Sequence, residues 1–486
     1  MIELTLFVSG AALMALELTA SRILSPYIGS SIFVWTAIIG VILAALSLGY
    51  YQGGKLADKK LNTGLLSNLA FATGLSILLS FIIKETVLIL IVRNIYETRL
   101  SSILATLFLF ALPSFLFGTI TPYATRLKMK SLDKSGEVVG KLYAISTLGS
   151  IIGTFLTGYV LLGYLGSSKI LLAIATAVIV LSFVLDKKNF FKIKKLIPLV
   201  FFCLIIAANP NKKNPNIIFE ADSNYQKIYV TDSTVRKTGR PVRFLRTSIL
   251  AQSGKYLDSD ELLFEYINQL TLIGHFKPNA EKVLFIGGGG YSLPSYLLNK
   301  NPKLVADVVE IDPMVSTVAK KYFNVPQTDR LHSFNIDGRN FINHASEKYD
   351  VIVLDAYRDE LIMPFELITI EAVGKYFDLL SDDGILAINN ISSLQGPKSK
   401  FLSAEINTIK TNFAKILIFQ ATPERREDYI QNVLVFAFKK DSGISLTSDD
   451  SLYQKLLGNL WEGNLATYPV LTDDFAPIER YMLAGF

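Results

Sequence analysis

The sequence predicts a membrane protein of two parts. An N-terminal α-helical transmembrane bundle precedes a C-terminal α/β domain of the Rossmann-like, class I methyltransferase type, which begins with a small β region. Three observations support this fold class. Half of the 486 residues are hydrophobic and only 19% are charged, against about a quarter in soluble domains. Apolar runs dominate the chain before residue 209, and short β-rich runs alternate with charged segments after residue 215.

Six apolar runs in the first part are each close to the roughly 20 residues that a helix needs to cross the hydrocarbon core. A seventh run, 196–208, is marginal in length and contains Pro198. We therefore predict six or seven spans over residues 1–208. The chain would be a multi-pass protein of the inner or plasma membrane, and the lipid bilayer would be one of its partners. The six runs are 3–24, 32–53, 64–83, 102–124, 142–163 and 168–185.

Lysine and arginine collect in alternate joints between these runs, at 55–60, 126–141 and 187–195. Because cytoplasmic loops carry the excess of basic residues, these joints and the N-terminus are predicted to face the cytoplasm. If 196–208 crosses the membrane, the C-terminal part lies outside; if it does not, that part stays inside. Lys212 and Lys213, just after this run, favour the inside.

Composition excludes several classes of protein. One cysteine cannot form a disulfide framework within the chain, and three histidines leave little for a zinc cluster, so we expect no metal site. The net charge of +6 is modest and is not gathered on one basic face, so nucleic acid is not an expected partner.

A turn-rich linker over 209–215, Asn-Pro-Asn-Lys-Lys-Asn-Pro, can continue neither a helix nor a strand. We place the domain boundary there. A small β region with the first helix is predicted over 216–270, and the Rossmann-like domain over 271–486.

A glycine turn marks the start of a predicted nucleotide site. The buried-strand pattern 281–286 leads into Gly287, Gly288, Gly289 and Gly290, and a helix pattern follows. This arrangement brings backbone N–H groups close to a ligand. The next strand, 304–309, ends at Glu310, and an acid about 20 residues past the glycines can bind ribose hydroxyls.

Two further strand ends carry acids. The segment 334–337 is predicted to end a strand with Asp337, before Gly338, where a side chain can take the adenine amino group. The strand 349–354 is followed by Asp355, and ligands bind outside the carboxyl ends of parallel strands. A dinucleotide site does not need these last two acids, whereas an adenosyl-sulfonium site uses the series.

The stretch from about 216 to 390 resembles spermidine synthase, of the polyamine aminopropyltransferase family. Together with the membrane part, the whole chain resembles the membrane-bound, transporter-fused spermidine synthase-like proteins of prokaryotes, to which 287–294 and 472–479 in particular are similar. The motifs that carry the resemblance are Ser223-Asn-Tyr-Gln226, Gln252 with Asp260-Glu261, the four glycines, Val-Glu310-Ile-Asp312, Asp337-Gly338 and Tyr349–Asp355.

The resemblance implies transfer of an aminopropyl group from decarboxylated S-adenosylmethionine to a small-molecule polyamine such as putrescine. It implies that Gln226 contacts the nucleoside, with Glu310 on the ribose and Asp337 on the adenine. Asp355 would orient and deprotonate the attacking amine, which is otherwise mostly protonated because its pKa is about 10. This cytosolic donor also favours a cytoplasmic C-terminal domain, and a homodimer is one option for the assembly. The acids available for the distal ammonium are Asp359, Glu265 and Glu366.

Three positions depart from the soluble spermidine synthases. The donor-binding Asp after the third glycine is replaced by Gly290, and a second pocket Asp by Arg358, with Asp359 one residue later. The usual Tyr-His or Tyr-Gln before the first helix is Phe264-Glu265. Two alternatives therefore stay open. One is a methyltransferase that uses intact S-adenosylmethionine on an amine or amphiphilic substrate; the other is a non-catalytic nucleoside- or polyamine-sensing domain on a transport-like bundle.

Overall fold

A computed structural model describes residues 1–95, 97–129, 135–186, 193–208, 215–247, 251–357 and 363–482. The chain forms two compact units. The first contains Met1–Pro215 and Ala221–Lys227, and the second contains Asn216–Glu220 and Ile228–Phe486.

The first unit is a helical bundle. Two π-helical turns interrupt it, Leu107–Ala111 between α4 and α5 and Leu156–Leu161 between α6 and α7. Its helices are α1 (Ile2–Ile28), α2 (Ile32–Lys59), α3 (Thr63–Asn94), α4 (Thr98–Thr106), α5 (Leu112–Lys128), α6 (Ser135–Phe155), α7 (Leu162–Tyr164), α8 (Ser167–Leu185) and α9 (Ile193–Ala208).

Six helical stretches among the described residues are long and apolar enough to cross a membrane. They contain the six runs predicted from the sequence, and they confirm this part of the predicted fold class. The marginal seventh run falls in α9, which at 16 residues is shorter than the roughly 20 needed for a span. The six stretches are Ile2–Ile28, Ile32–Lys59, Thr63–Asn94, Thr98–Lys128, Ser135–Tyr164 and Ser167–Leu185.

Glycines allow two helix pairs of the bundle to approach closely. Gly149 and Gly153 of α6 face the backbone of α1, where an added Cβ would overlap the carbonyl groups of Phe7 and Ala11. Between α2 and α5, a Cβ at Gly118 would lie 2.6 Å from the Leu46 carbonyl oxygen. Small residues give this kind of contact because van der Waals packing, rather than a hydrophobic driving force, holds helices together in lipid.

The second unit contains a seven-stranded sheet in the order β10-β11-β9-β8-β5-β6-β7. Strands β5 to β9 pair in parallel, and β10 and β11 are antiparallel. A separate four-stranded sheet has the order β1-β2-β3-β4. The strands are β1 (Ile217–Asp222), β2 (Lys227–Thr234), β3 (Pro241–Arg246), β4 (Ala251–Tyr256), β5 (Lys282–Ile286), β6 (Val305–Val309), β7 (Leu331–Phe334), β8 (Tyr349–Leu354), β9 (Leu380–Ser392), β10 (Lys415–Gln420) and β11 (Gln431–Phe438).

Helices cover both faces of the seven-stranded sheet, so its central strands are apolar without a polar alternation. Leu284 and Ile286 of β5 pack into one core, while Val283 and Phe285 pack into the other. The helices are α10 (Glu265–Leu270), α11 (Ile273–Phe276), α12 (Ser292–Lys300), α13 (Pro313–Tyr322), α14 (Gly338–His344), α15 (Ile370–Leu379), α16 (Lys400–Ile409), α17 (Ser451–Leu457) and α18 (Ile478–Met482).

The side of the sheet on which successive strands are added changes at β5. Its next strand, β6, lies on one side, and β8 lies on the other. Such a switch point leaves a crevice at the carboxyl ends of the two strands, where open α/β sheets bind ligands. Ile286 and Leu354 are register partners there, so the glycine turn and Asp355 begin side by side. The predicted Rossmann-like fold class is confirmed.

Candidate active site

The glycine turn connects β5 to α12 in a conformation that only glycine adopts easily. Gly287 has φ +100° and Gly289 has φ +47°, in the left-handed region that side chains disfavour. A Cβ on Gly287 would overlap the Asp355 carbonyl, so the turn passes directly over the end of β8. The Gly287 N–H donates to the Val309 carbonyl at 2.9 Å. The turn thus gathers the ends of β5, β6 and β8.

Glu310, directly after β6, is held by backbone N–H groups. Its Oε2 accepts from Gly288 at 3.0 Å and from Gly289 at 3.1 Å, and its Oε1 accepts from Asp312 at 3.0 Å. Burial raises the pKa of Glu310, while the three N–H donors oppose that rise. A carboxylate has about four lone-pair positions. Three are used by these N–H groups, so one is left for a donor of a ligand.

The sequence pattern predicts a strand that ends at Asp337, and the structure shows that this prediction is wrong. Strand β7 ends at Phe334, and Asp337 is the N-cap of α14, where its Oδ1 accepts from the Asn340 N–H at 2.9 Å. Asp residues favour this capping position because they satisfy a free N–H of the first turn. Gly338 packs at the end of β5, since an added Cβ would lie 2.9 Å from the Ile286 side chain.

Asp355 is the acid at the centre of the site. Its N–H donates to the Ile286 carbonyl at 2.9 Å, and its Oδ1 accepts from Asn389 Nδ2 at 2.8 Å. The Tyr266 hydroxyl also donates to its carboxyl. Burial raises the pKa of Asp355 to about 6, although the hydrogen bonds from Asn389 and Tyr266 lower it in part. Such a carboxylate is ionised at neutral pH yet is a better proton acceptor than an ordinary Asp.

The side chains that hold Asp355 were not predicted from the sequence. Asn432 Nδ2 donates to Asn389 Oδ1 at 3.0 Å, and this bond turns the Asn389 amide so that its NH₂ group faces Asp355. Tyr357 donates from its hydroxyl to the Asn389 carbonyl at 2.7 Å. One sequence signal was available, because Asn389 and Asn390 end an otherwise apolar strand pattern. Nothing in the local pattern indicated Tyr266.

Ser253 explains why Gly290 carries no side chain. The Gly290 N–H donates to Ser253 Oγ at 2.8 Å. A Cβ on Gly290 would lie 2.7 Å from the Ser253 Cβ. Strand β4 therefore fills the space that an acidic side chain would need at this position.

The remaining predicted residues lie on other elements. Gln226, in the β1–β2 turn, belongs to the Ala221–Lys227 segment of the first unit, and its N–H donates to Ser223 Oγ at 3.0 Å. Glu265 is exposed at the start of α10, next to Tyr266. Glu366 lies in the 3₁₀ turn Phe365–Leu367.

Arg358 and Asp359 lie outside the described residues. Among the side chains that the structure does describe, no group of three or more His, Cys, Asp or Glu residues is arranged to hold a metal ion.

Comparison with known proteins finds a family match and several relatives. Residues 264–444 match the spermine/spermidine synthase domain. The polyamine aminopropyltransferase of Vibrio vulnificus (strain CMCP6) is 33% identical over 231 residues, which cover 45% of this chain and 72% of that protein. An N-terminal histidine N-methyltransferase of Emericella nidulans is 32% identical over 203 residues, 39% of this chain and 34% of that protein.

A solved structure of a probable spermidine synthase from Corynebacterium glutamicum ATCC 13032 aligns with a TM-score of 0.43 and 16% identity. The alignment covers 55% of this chain and 94% of that one.

The sequence matches define the chain as a transferase. It belongs to the polyamine aminopropyltransferase family, since its identity to one member extends over most of that member's length. The predicted resemblance of the C-terminal part to the spermidine synthase family is confirmed.

Proposed function

We propose that this chain is a membrane-anchored aminopropyltransferase that transfers an aminopropyl group from decarboxylated S-adenosylmethionine to a polyamine such as putrescine. The observation that carries the proposal is the position of Asp355. Its carboxyl, with a pKa raised to about 6, is held by Asn389 and Tyr266 beneath the glycine turn at the switch point of the sheet.

Aminopropyl transfer needs a general base more than it needs a general acid. The amine lone pair forms a bond to the aminopropyl carbon next to the sulfonium. The C–S bond breaks, and its electrons return to sulfur to leave a neutral thioether. The proton of the amine passes to Asp355, which acts as general base and aligns the nucleophile.

For the other residues we propose the roles predicted in the sequence analysis. Glu310 binds the ribose with its remaining lone pair, Asp337 and Gly338 meet the adenine, and Gln226 contacts the nucleoside. The glycine backbone from Gly287 to Gly290 borders the donor. Glu265, Glu366 and Asp359 are the acids proposed near the acceptor.

We also propose that the catalytic part lies in the cytoplasm. The described residues contain six candidate spans. An even number of spans leaves both ends of the bundle on the same side of the membrane, and the basic joints favour the cytoplasm for that side. The 209–215 segment then separates a membrane part from a cytoplasmic part.

Mass spectrometry on the full-length protein in detergent micelles tests the proposal. With decarboxylated S-adenosylmethionine and putrescine, the expected products are spermidine and the thioether nucleoside in equal amounts. Formation of neither product, under conditions where the donor binds, would contradict the proposed function.

A methyltransferase is the second candidate, and the Gly290–Ser253 contact favours it. Without an acid at that position, nothing there repels the carboxylate of intact S-adenosylmethionine. The match to a histidine N-methyltransferase points the same way. Methylated putrescine, formed with intact S-adenosylmethionine in the same assay, would select this alternative.

A further inference from the structure

Arg339, the second residue of α14, connects three parts of the second unit. Its Nη1 donates to the Glu366 carbonyl at 2.8 Å and to Thr369 Oγ1 at 3.1 Å. Nη1 and Nη2 also donate to the two carboxylate oxygens of Asp473, at 3.2 Å and 2.7 Å. The guanidinium thus joins the start of α14 to the 3₁₀ turn that contains Glu366, to the N-cap of α15 and to the 472–479 segment.

Asp473 is itself held in place. Its Oδ1 also accepts from Thr369 Oγ1 at 2.6 Å, and its N–H donates to Glu371 Oε2 at 3.0 Å. A carboxylate that accepts from both ends of a guanidinium fixes its orientation, whereas the ammonium of a lysine is only a point charge. The 472–479 segment, to which the proposed function gives no role, therefore sets the orientation of Arg339.

The start of α14 packs closely against the end of β5 and the 3₁₀ turn. An added Cβ on Gly338 would lie 2.9 Å from the Ile286 side chain and 3.3 Å from that of Leu367. Leu367 is 4% exposed, and its carbonyl accepts from the buried Tyr376 hydroxyl at 3.0 Å. Because these contacts leave no slack, a shift of the 3₁₀ turn would move Gly338 and the preceding residue, Asp337.

The Asp337 carboxylate is tied to the same helix start. Its Oδ1 accepts from the Asn340 N–H at 2.9 Å, which leaves Oδ2 for a ligand. A carboxylate accepts from the amino group of adenine, but it repels the carbonyl oxygen that hypoxanthine has at the same ring position. Since hydrogen bonds weaken steeply when their geometry departs from the ideal, this discrimination depends on the position of the start of α14.

We propose that Arg339, fixed by Asp473, is a positioning residue for the donor site, which holds the start of α14 where Asp337 contacts the amino group of adenine. This inference rests on the proposed function for the role of Asp337. It gives the 472–479 segment a part in donor recognition, although we place none of its residues at the donor.

Calorimetry on the full-length protein in detergent micelles tests the inference with 5′-methylthioadenosine, the thioether product, and 5′-methylthioinosine, which has the hypoxanthine base. The wild type is expected to bind the adenosine compound about tenfold more tightly, the size of one hydrogen bond to a charged group. Arg339→Lys and Asp473→Asn should each lower this ratio to about threefold or less, because the two-point contact between guanidinium and carboxylate is lost.

The matched control is Arg330→Lys. The Arg330 guanidinium also holds backbone carbonyls, those of Asn301 at 3.1 Å and Leu304 at 2.9 Å, but it does so at the amino ends of the strands, away from the proposed site. This variant should keep the wild-type ratio. A merely structural role of Arg339 would weaken the binding of both nucleosides alike and would also leave the ratio unchanged.

A wild-type ratio in Arg339→Lys would overturn the inference, and so would equal affinities of the wild type for the two nucleosides. If Arg339→Lys does not fold, Asp473→Asn decides, because the Asp473 side chain is 46% exposed; a wild-type ratio there would overturn the inference. The readout is nucleoside binding, so absence of aminopropyl transfer would refute the proposed function without affecting this test. Transfer by the wild type together with an unchanged ratio in the variants would refute the inference alone.

Discussion

At the scale of single residues, burial makes the Asp355 carboxylate a better proton acceptor, and its two hydrogen-bond partners limit the rise of its pKa. Burial raises the pKa to about 6, and the hydrogen bonds from Asn389 and Tyr266 oppose a further rise. The proposed base is therefore ionised above pH 6 and lost by protonation below it. The Tyr266 hydroxyl acts as a positioning group whose removal should be visible in a pH profile.

We expect kcat, measured at saturating donor and amine, to fall as the pH decreases through about 6. Tyr266→Phe removes a hydrogen bond to the carboxylate, so the midpoint of this fall should move to higher pH. Asp355→Asn should abolish turnover at every pH and still bind the nucleoside. As a control, Tyr429→Phe, at a residue 58% exposed, should keep the wild-type profile. A midpoint in Tyr266→Phe equal to that of the wild type would remove Tyr266 from the mechanism.

At the same scale, Ser253 limits which side chains can replace Gly290. Because a Cβ on Gly290 would lie 2.7 Å from the Ser253 Cβ, restoring the acid of the soluble enzymes with Gly290→Asp should overpack the turn. We expect a loss of about 1–3 kcal/mol in the free energy of unfolding, measured by thermal unfolding, and weaker donor binding. Gly374→Asp is the control, since a Cβ there meets nothing within 4 Å. A stable Gly290→Asp protein that gains affinity for the decarboxylated donor would contradict this prediction, because Ser253 would then have moved to make room for the new side chain.

At the scale of elements, strand ends carry the candidate site and glycines set the helix spacing. The register of β5 with β8 puts the glycine turn beside Asp355, and β9 supplies polar side chains to both faces of the sheet. In the bundle, α1 and α6 approach until Gly153 faces the backbone of Ala11.

Gly153→Val should separate α1 from α6. The added side chain meets the Ala11 carbonyl and Cα, and overpacking of this kind costs about 1–3 kcal/mol. Thermal unfolding in detergent should show a lower midpoint than the wild type. Gly140→Val, on the same helix with nothing within 4 Å of an added Cβ, should unfold like the wild type. Equal midpoints for both variants would mean that this helix contact contributes no stability.

At the scale of the whole molecule, the number of spans decides where the catalytic part lies. The part of the chain that the structure describes contains six candidate spans and a shorter α9, which puts both ends of the chain on the same side of the membrane, and the basic joints predict that this side is the cytoplasm. A green fluorescent protein fused after Phe486 should fluoresce, because it folds in the cytoplasm, and alkaline phosphatase at the same position should be inactive. An active phosphatase would show that 196–208 crosses the membrane.

Much of the fold was predictable because its signals are local. Apolar runs of membrane length and a strand that leads into four glycines can be recognised without knowledge of any distant contact. The strand-end acids Glu310 and Asp355 were predictable for the same reason. The end of β7 was not, because Asp337 suits a strand end and a helix cap equally well, and only its bond to the Asn340 N–H distinguishes them.

By itself, the sequence determined that the chain has an apolar helical part, a Rossmann-like part and acids directly after two of its parallel strands, at Glu310 and Asp355. Only the tertiary structure decided which distant residues meet: Tyr266 and Asn389 at Asp355, Ser253 at Gly290, and Asp473 at Arg339. The physical reason is that helix and strand periodicity depend on near neighbours in the chain. Hydrogen bonds and pKa values inside a site depend instead on side chains that sheet register and helix packing bring together from far apart.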